Sequence, residues 1–161
     1  MRLLALLLCA AALPAVEPAE PREFVQAVEF PYYAYPWQLW ERELVWLKTV
    51  GIRTVEFSIP WNWHQIDHDA CDFTGRTSPR RDLVGFIRLL RRLEMRAWIR
   101  PLPPVKGWIN GGYPAGVTPE RRSARPWLGE LESLLAPQTE KHGGPIAFVE
   151  GNAGILDAPA P

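Results

Sequence analysis

Three observations predict a parallel α/β fold for this chain of 161 residues. Four runs of strand length, rich in β-branched and aromatic residues, each stop at or just short of a Pro or Gly. Segments with one apolar helical face lie between them. Each connection is long enough to carry the chain back across a sheet, so that neighbouring strands run in the same direction. The resulting order, β-α-β-α-β-α-β, suits a doubly wound sheet or a TIM barrel, in which helices cover parallel strands.

Each element has its own signal. Phe24 to Phe30 alternates as a strand and stops at Pro31. Trp37 to Val50 carries Trp40, Leu44 and Leu47 at i, i+4 and i+7, one helical stripe, which Gly51 ends. Arg53 to Ile59 is the second strand and closes at Pro60. From Pro79 to Leu93, Leu83, Phe86, Ile87, Leu90 and Leu93 share a face, and Arg80, Arg81, Arg88, Arg91 and Arg92 are read as a solvated one. Met95 to Ile99 is the third strand, followed by Arg100-Pro101 and a loop dense in Pro and Gly. A helix from about Arg125 to Leu135 and a last strand from Ile146 to Glu150 complete the order. Four strands are half of an eight-stranded barrel, which typically needs about 250 residues. On a barrel reading the chain stops near its midpoint and leaves the first and fourth strands as open edges.

Composition narrows the function classes. With 47% hydrophobic and 22% charged residues the chain is globular rather than disordered. Lys+Arg and Asp+Glu are equal at 18 each, so bulk charge points neither to nucleic acid nor to an anionic membrane. After Met1 and Arg2, residues 3–16 form an apolar run too short to span a bilayer, which reads as a secretory signal. The expected organisation is a signal peptide and Pro-rich junction over 1–19, one domain over 20–152, and an Ala/Pro-rich tail over 153–161. Such a protein is exported, to the periplasm or the extracellular space, and keeps no membrane segment once the signal is removed. Leu6-Leu7-Leu8-Cys9 has a passing likeness to a lipid-attachment site, with only eight residues before the Cys. Cleavage would leave Cys71 without an internal disulfide partner.

In parallel α/β folds the chemistry sits at the carboxyl ends of the strands and in the loops that follow. Those places hold Tyr32-Tyr33, Trp61-Asn62-Trp63-His64, Arg100 through Trp108-Ile109-Asn110, and Glu150-Gly151-Asn152. Eight Trp are many for this length, and part of the excess falls here. Trp61, Trp63 and Trp108, with Tyr32, Tyr33 and Tyr113, can line a pocket that stacks on sugar rings. Asn62, His64, Asn110 and Asn152 can hydrogen-bond to hydroxyls. The plainer reading is that many of these aromatics pack the mouth of the fold. Trp40, Trp46, Trp98 and Trp127 lie on helices or within a strand and are assigned to packing. His64 and His68 have H-x-x-x-H spacing with Asp69, Cys71 and Asp72 close behind. A zinc-protease motif would need a helix and a Glu in second place, where this segment follows a strand and carries Gln65, so a polar loop is favoured over a metal site.

Several motifs occur together in order: Trp40 with Lys48 and Gly51, Pro60-Trp61-Asn62-Trp63-His64, Asp72-Phe73-Thr74-Gly75, and Asp82-Leu83 with Phe86. Arg100-Pro101, Trp108 with Gly111-Gly112-Tyr113-Pro114, and Gly143-Gly144-Pro145-Ile146 follow, and Pro36 and Tyr32 fall into step ahead of Trp40. In order and spacing this set resembles glycoside hydrolase family 35, the retaining β-galactosidases, over about residues 24–150. The resemblance implies a partial (β/α)8 TIM barrel of about four βα units. It also implies hydrolysis of terminal β-galactosides or related glycans by two glutamates, one protonating the leaving oxygen and the other attacking the anomeric carbon.

The family's acid/base ends the fourth strand in an Asn-Glu pair, which is missing here. Glu150 is the nearest candidate, and an ungapped count puts Gly154 at the carboxylate position. The His-Glu-Pro after the second strand is His64-Gln65-Ile66, the family's Tyr in that strand is Ser58, and Cys-Ala-Glu-Trp after the third is Val105-Lys106-Gly107-Trp108. Asp157 is the only later acid, so double displacement is incomplete and the chain as given is expected not to hydrolyse glycosides. The site expected by resemblance is therefore Glu150 as acid/base, with Tyr32, Trp61, Asn62, His64, Trp108, Asn110 and Asn152 contacting carbohydrate. No cofactor and no metal are expected, and sugar, linkage and oligomeric state stay open. Two other readings stand beside this one: a non-catalytic carbohydrate-binding or interaction module built from the same fold, and a metal-dependent hydrolase using His64, His68 and Cys71.

Overall fold

The computed structural model describes residues 26–68, 70–117 and 124–151. The expected signal and junction, the start of the first strand at Phe24, Asn152 and the tail lie outside them. Strands β1 (Ala27–Glu29), β2 (Thr54–Ser58), β5 (Arg96–Arg100) and β6 (Ile146–Val149) form one sheet in that order, and every neighbouring pair is parallel. Helices α1 (Trp40–Thr49), α3 (Leu83–Arg92) and α4 (Arg125–Leu135) occupy the three crossovers. Among the described residues β1 and β6 each have a single sheet neighbour. This is the four-stranded, helix-covered parallel arrangement expected of a partial TIM barrel.

The residues between Pro60 and Phe73 differ from expectation. Instead of a plain polar loop they form a one-turn helix α2 (Trp61–His64) and a small antiparallel hairpin of β3 (Gln65–Asp67) with β4 (Ala70–Cys71). The two helices whose starts were placed at Trp37 and Pro79 begin as 3-10 turns, and their α-helical parts start at Trp40 and Leu83. Asp82 sets the second boundary: its Oδ1 accepts from the Gly85 amide at 2.8 Å, satisfying one of the orphan donors of the first turn.

The core lies between the sheet and its helices. In β2, Val55 and Phe57, with Ile59 just beyond, are fully buried on the helix side, whereas Glu56 turns to the opposite face, as the period of two requires. Phe86 of α3 sits at the centre of an aromatic cluster, 5.0 Å from Tyr32, 5.2 Å from Trp40, 5.2 Å from Phe57 and 5.5 Å from Phe30, ring centre to ring centre. Lys48 Nζ donates to the Leu93 carbonyl at 2.6 Å and ties the end of α1 to the end of α3. On the other sheet face, Trp98 packs on Phe148 at 5.4 Å and the Arg96 guanidinium lies over the same ring.

Gly144, at the entrance to β6, marks a close backbone approach. A Cβ there would stand 1.9 Å from the Gln138 carbonyl oxygen, and the Gly144 amide itself donates to Thr139. Gly144→Ala is expected to lower stability by about 1–3 kcal/mol, read as a lower urea midpoint. Gly129→Ala is the control: a Cβ at this position of α4 meets nothing within 4 Å, and alanine is about 1 kcal/mol better than glycine inside a helix.

Candidate functional site

The carboxyl ends of the four parallel strands converge on one pocket of about 450 Å³. Glu29 ends β1, Ser58 ends β2, Arg100 ends β5 and Glu150 follows β6; Leu102 and Lys106 from the next loop line the pocket too. Parallel strands in register place these side chains side by side because every second residue points to the same face. Arg100 is the hub. Its Nε donates to Glu150 Oε2 at 2.7 Å and its Nη2 forms an ion pair with Glu56 Oε1. The Glu150 hydrogen bond, with Glu56 beside it, raises the guanidinium further above its ordinary value, so it remains charged. The Glu29 side chain is exposed and makes no hydrogen bond or ion pair among the described residues, though its charge also acts on Arg100. The pocket thus offers one free carboxylate, one carboxylate held by a guanidinium and a lysine, over walls of Leu102 and two prolines. Such a set can hydrogen-bond to several hydroxyls of one small polar ligand.

Beside it stands an aromatic ledge. Two guanidinium groups lie over the Trp63 ring, Arg80 at 5.0 Å and Arg81 at 4.8 Å from its centre, and Arg81 Nε donates to the Trp63 carbonyl. Trp108 meets Trp63 and Tyr33 edge-on at 5.8 and 4.7 Å. Its Nε1 donates to Asn62 Oδ1 at 2.9 Å, while Asn62 Nδ2 donates to the Ile109 carbonyl at 2.8 Å. Burial, with Glu29 nearby, pushes the Tyr33 phenol up to about 12.

Beneath the ledge, His64 is fully buried. Its Nδ1 lies 2.6 Å from the Asp72 carbonyl oxygen, which can only accept, so Nδ1 carries the proton and Nε2 accepts from the Tyr32 hydroxyl at 2.6 Å. Burial lowers the imidazole from 6.5 to about 4, against the opposing effect of the Asp72 hydrogen bond, and the ring is neutral at pH 7. Burial alone would push the Asp72 carboxyl up. Hydrogen bonds from the Thr77 hydroxyl and from the amides of Thr77, Thr74 and Arg76 outweigh it and hold the group well below the usual carboxylate range.

Several expected sugar contacts need correction on this geometry. Tyr32 and His64 are wholly enclosed and hydrogen-bonded to each other, so neither presents an atom to a ligand. Trp61 is buried and stacks on Trp127 at 5.7 Å, which makes it a core residue. Asn62 spends its amide on Trp108 and Ile109, and Asn110, with φ of 50°, spends its Nδ2 on the Tyr113 carbonyl. Trp108 stays half-buried on the ledge, and Glu150 faces the strand-end pocket. Arg80 and Arg81 are not part of a solvated face as expected, because both cover Trp63. The zinc reading loses His64, whose two ring nitrogens are occupied and which sits on a different element from His68. Glu29 and Glu56 carried no expectation from sequence. The strand-end rule would have found Glu29, but Glu56 lies inside a strand, where nothing in the sequence marks its pairing with Arg100.

The family model described as Glycosyl hydrolases family 35 matches residues 19–150. An exo-beta-D-glucosaminidase of Pyrococcus horikoshii is 45% identical over 84 residues, 52% of this chain and 11% of that protein. A beta-1,2-glucosyltransferase of Ignavibacterium album is 36% identical over 115 residues, 71% of this chain and 16% of that protein. A beta-galactosidase of Mus musculus is 30% identical over 132 residues, 74% of this chain and 20% of that protein. The chain spans a fifth or less of the length of these curated relatives.

Proposed function

This chain belongs to glycosyl hydrolases family 35, and we propose that its strand-end pocket binds the terminal sugar of a β-linked glycan, galactose or glucosamine. The observation that carries this reading is the convergence of Glu29, Ser58, Arg100 and Glu150 at the carboxyl ends of the parallel strands. That is where the ligand site of such a sheet lies. A pyranose presents hydroxyls around its whole rim, and a pocket with both acceptors and charged donors can bind it in one orientation.

In a retaining hydrolysis one carboxyl gives its proton to the leaving oxygen while a second, about 5–5.5 Å away, attacks the anomeric carbon. Glu150 is the acid/base candidate by position. In this pocket its Oε2 is the acceptor of the Arg100 hydrogen bond, a setting that suits sugar recognition better than proton donation. Binding without turnover is therefore the activity we propose for residues 26–151. Glu29 favours glucosamine over galactose, since a free carboxylate in the pocket can take up a sugar ammonium group.

Calorimetric titration with methyl β-galactoside and methyl β-glucosaminide tests the reading. Arg100→Ala is expected to weaken both at least tenfold, and Glu29→Gln to weaken the glucosaminide selectively. Binding unchanged in Arg100→Ala counts against the site, and nitrophenyl β-galactoside turnover that vanishes in Glu150→Gln counts against recognition alone.

A further inference from the structure

We propose that the outer groove between α1 and α3 is a second glycan-binding site, separate from the strand-end pocket, in which an oligosaccharide segment stacks on Trp37. The choice of a glycan rests on the function proposed above; the groove itself rests on its own geometry.

Six of the eight Trp have their rings engaged. Trp40, Trp61 and Trp127 are buried, and Trp63, Trp98 and Trp108 pack on arginine or aromatic neighbours. Trp37 and Trp46 remain, 48% and 58% exposed, with no ring partner among the described residues. Trp37 borders a cavity of about 500 Å³, within the range of roughly 300–1,000 Å³ that ligand sites occupy. An exposed indole beside such a cavity is a flat apolar platform that pyranose rings can stack on.

The rest of the groove supplies polar groups, two of them with unpartnered side chains. The side chains of Gln38 and Arg88 make no hydrogen bond or ion pair among the described residues, and both line it. Glu41 and Arg92 form an exposed ion pair across it, Arg92 Nη2 lying 2.9 Å from Glu41 Oε2. Gly85 keeps the floor open. A Cβ there would stand 2.1 Å from Asp82 Oδ2, so no larger side chain can fill the groove while Asp82 caps α3. The groove runs from Trp37, which follows β1, and Asp82, which caps α3, along α3 to Arg92 at its other end. Its length suits a glycan of more than one sugar, held on the outer wall of the fold.

The test is a titration of the ¹⁵N-labelled full chain with β-1,4-galactotetraose and, separately, with fully deacetylated chitotetraose, following the Trp indole cross-peaks. Trp37→Phe identifies the Trp37 signal. The expected result is a saturable shift of that signal with at least one of the two probes, retained when Arg100→Ala and Glu29→Gln have disabled the strand-end pocket. Arg88→Ala, an exposed change, is expected to raise the apparent Kd at least fivefold. The Arg100 Nε cross-peak, recorded in the same titration of the unsubstituted chain, reports the strand-end pocket, because Arg100 lines it and its Nε donates to Glu150. A Trp37 signal that stays still while the Arg100 Nε signal moves overturns the proposal and leaves the strand-end reading intact. A moving Trp37 with a silent Arg100 Nε supports the groove and overturns the strand-end reading, and silence of both removes both. A Trp37 shift that follows protein concentration instead of glycan identifies self-association and also overturns the proposal.

Discussion

Between pH 6.5 and pH 4 the folded state is expected to lose on the order of 3 kcal/mol of stability through His64. The imidazole titrates near its ordinary 6.5 in the unfolded chain and at about 4 when buried, so across this window the unfolded state binds the extra proton. Stability is fully present above pH 6.5 and falls as the pH drops to about 4, below which His64 adds no further slope. The structural cause is specific. Nε2 can accept the Tyr32 hydroxyl only while it is unprotonated, and the ring is enclosed by Phe73, Tyr32 and Trp127 with no acidic side chain hydrogen-bonded to it. Urea midpoints measured at pH 7 and 4.5 check the expectation. His64→Phe keeps the stacking but removes the titration, so its midpoint should be lower at pH 7, by about 1–3 kcal/mol for the stranded hydroxyl and carbonyl. The same variant should lose the slope between pH 6.5 and 4. A slope that persists in it would assign the acid sensitivity elsewhere.

Asp72→Asn is expected to cost about 3 kcal/mol at pH 7 and to act in a different pH window. One carboxylate oxygen accepts from the amides of Thr74 and Arg76 and from the Thr74 hydroxyl, the other from the amide and hydroxyl of Thr77. All five are donors here, and an asparagine must turn its own NH₂ toward one set of them. Because the folded-state carboxyl is held well below its ordinary 3.8, its contribution is present above that pH and lost on further acidification. Acid unfolding in the wild type should therefore show two limbs, one above pH 4 from His64 and one below it from Asp72. Asp72→Asn should flatten only the lower limb. The effect should also reach the aromatic ledge, because the turn that Asp72 folds leads directly to Arg80 and Arg81, which clasp Trp63. A loss of Trp63 and Trp108 fluorescence signature at constant far-UV spectrum would report this.

Much of the architecture was legible in the chain. The apolar stripe Leu83, Phe86, Ile87 and Leu90 is buried as its spacing requires, α4 runs over the residues expected of it, and the parallel order follows from the crossover lengths. These features depend on periodicity along one segment, which a linear reading captures. The candidate site was less legible. Aromatic and amide residues near strand ends look alike in sequence whether they face a ligand or each other. Tyr32 and His64 turn inward because they hydrogen-bond to each other and the Asp72 carbonyl takes the other His64 nitrogen, and Trp61 turns inward to stack on Trp127. Glu56 and Arg100 are 44 positions apart in the sequence, and only the parallel register of β2 with β5 makes them an ion pair.

The sequence by itself determined the class of fold, the family resemblance and the end of the sheet at which a ligand would sit, because each is carried by local pattern and short motifs. The tertiary structure alone decided which of those strand-end residues are exposed. That choice depends on burial and hydrogen-bond satisfaction among segments far apart in the chain. A buried donor or acceptor must find a partner, so Tyr32, His64 and Asp72 were drawn together into the core. The charged groups Glu29, Arg100 and Glu150, costly to bury, were left to form the open pocket.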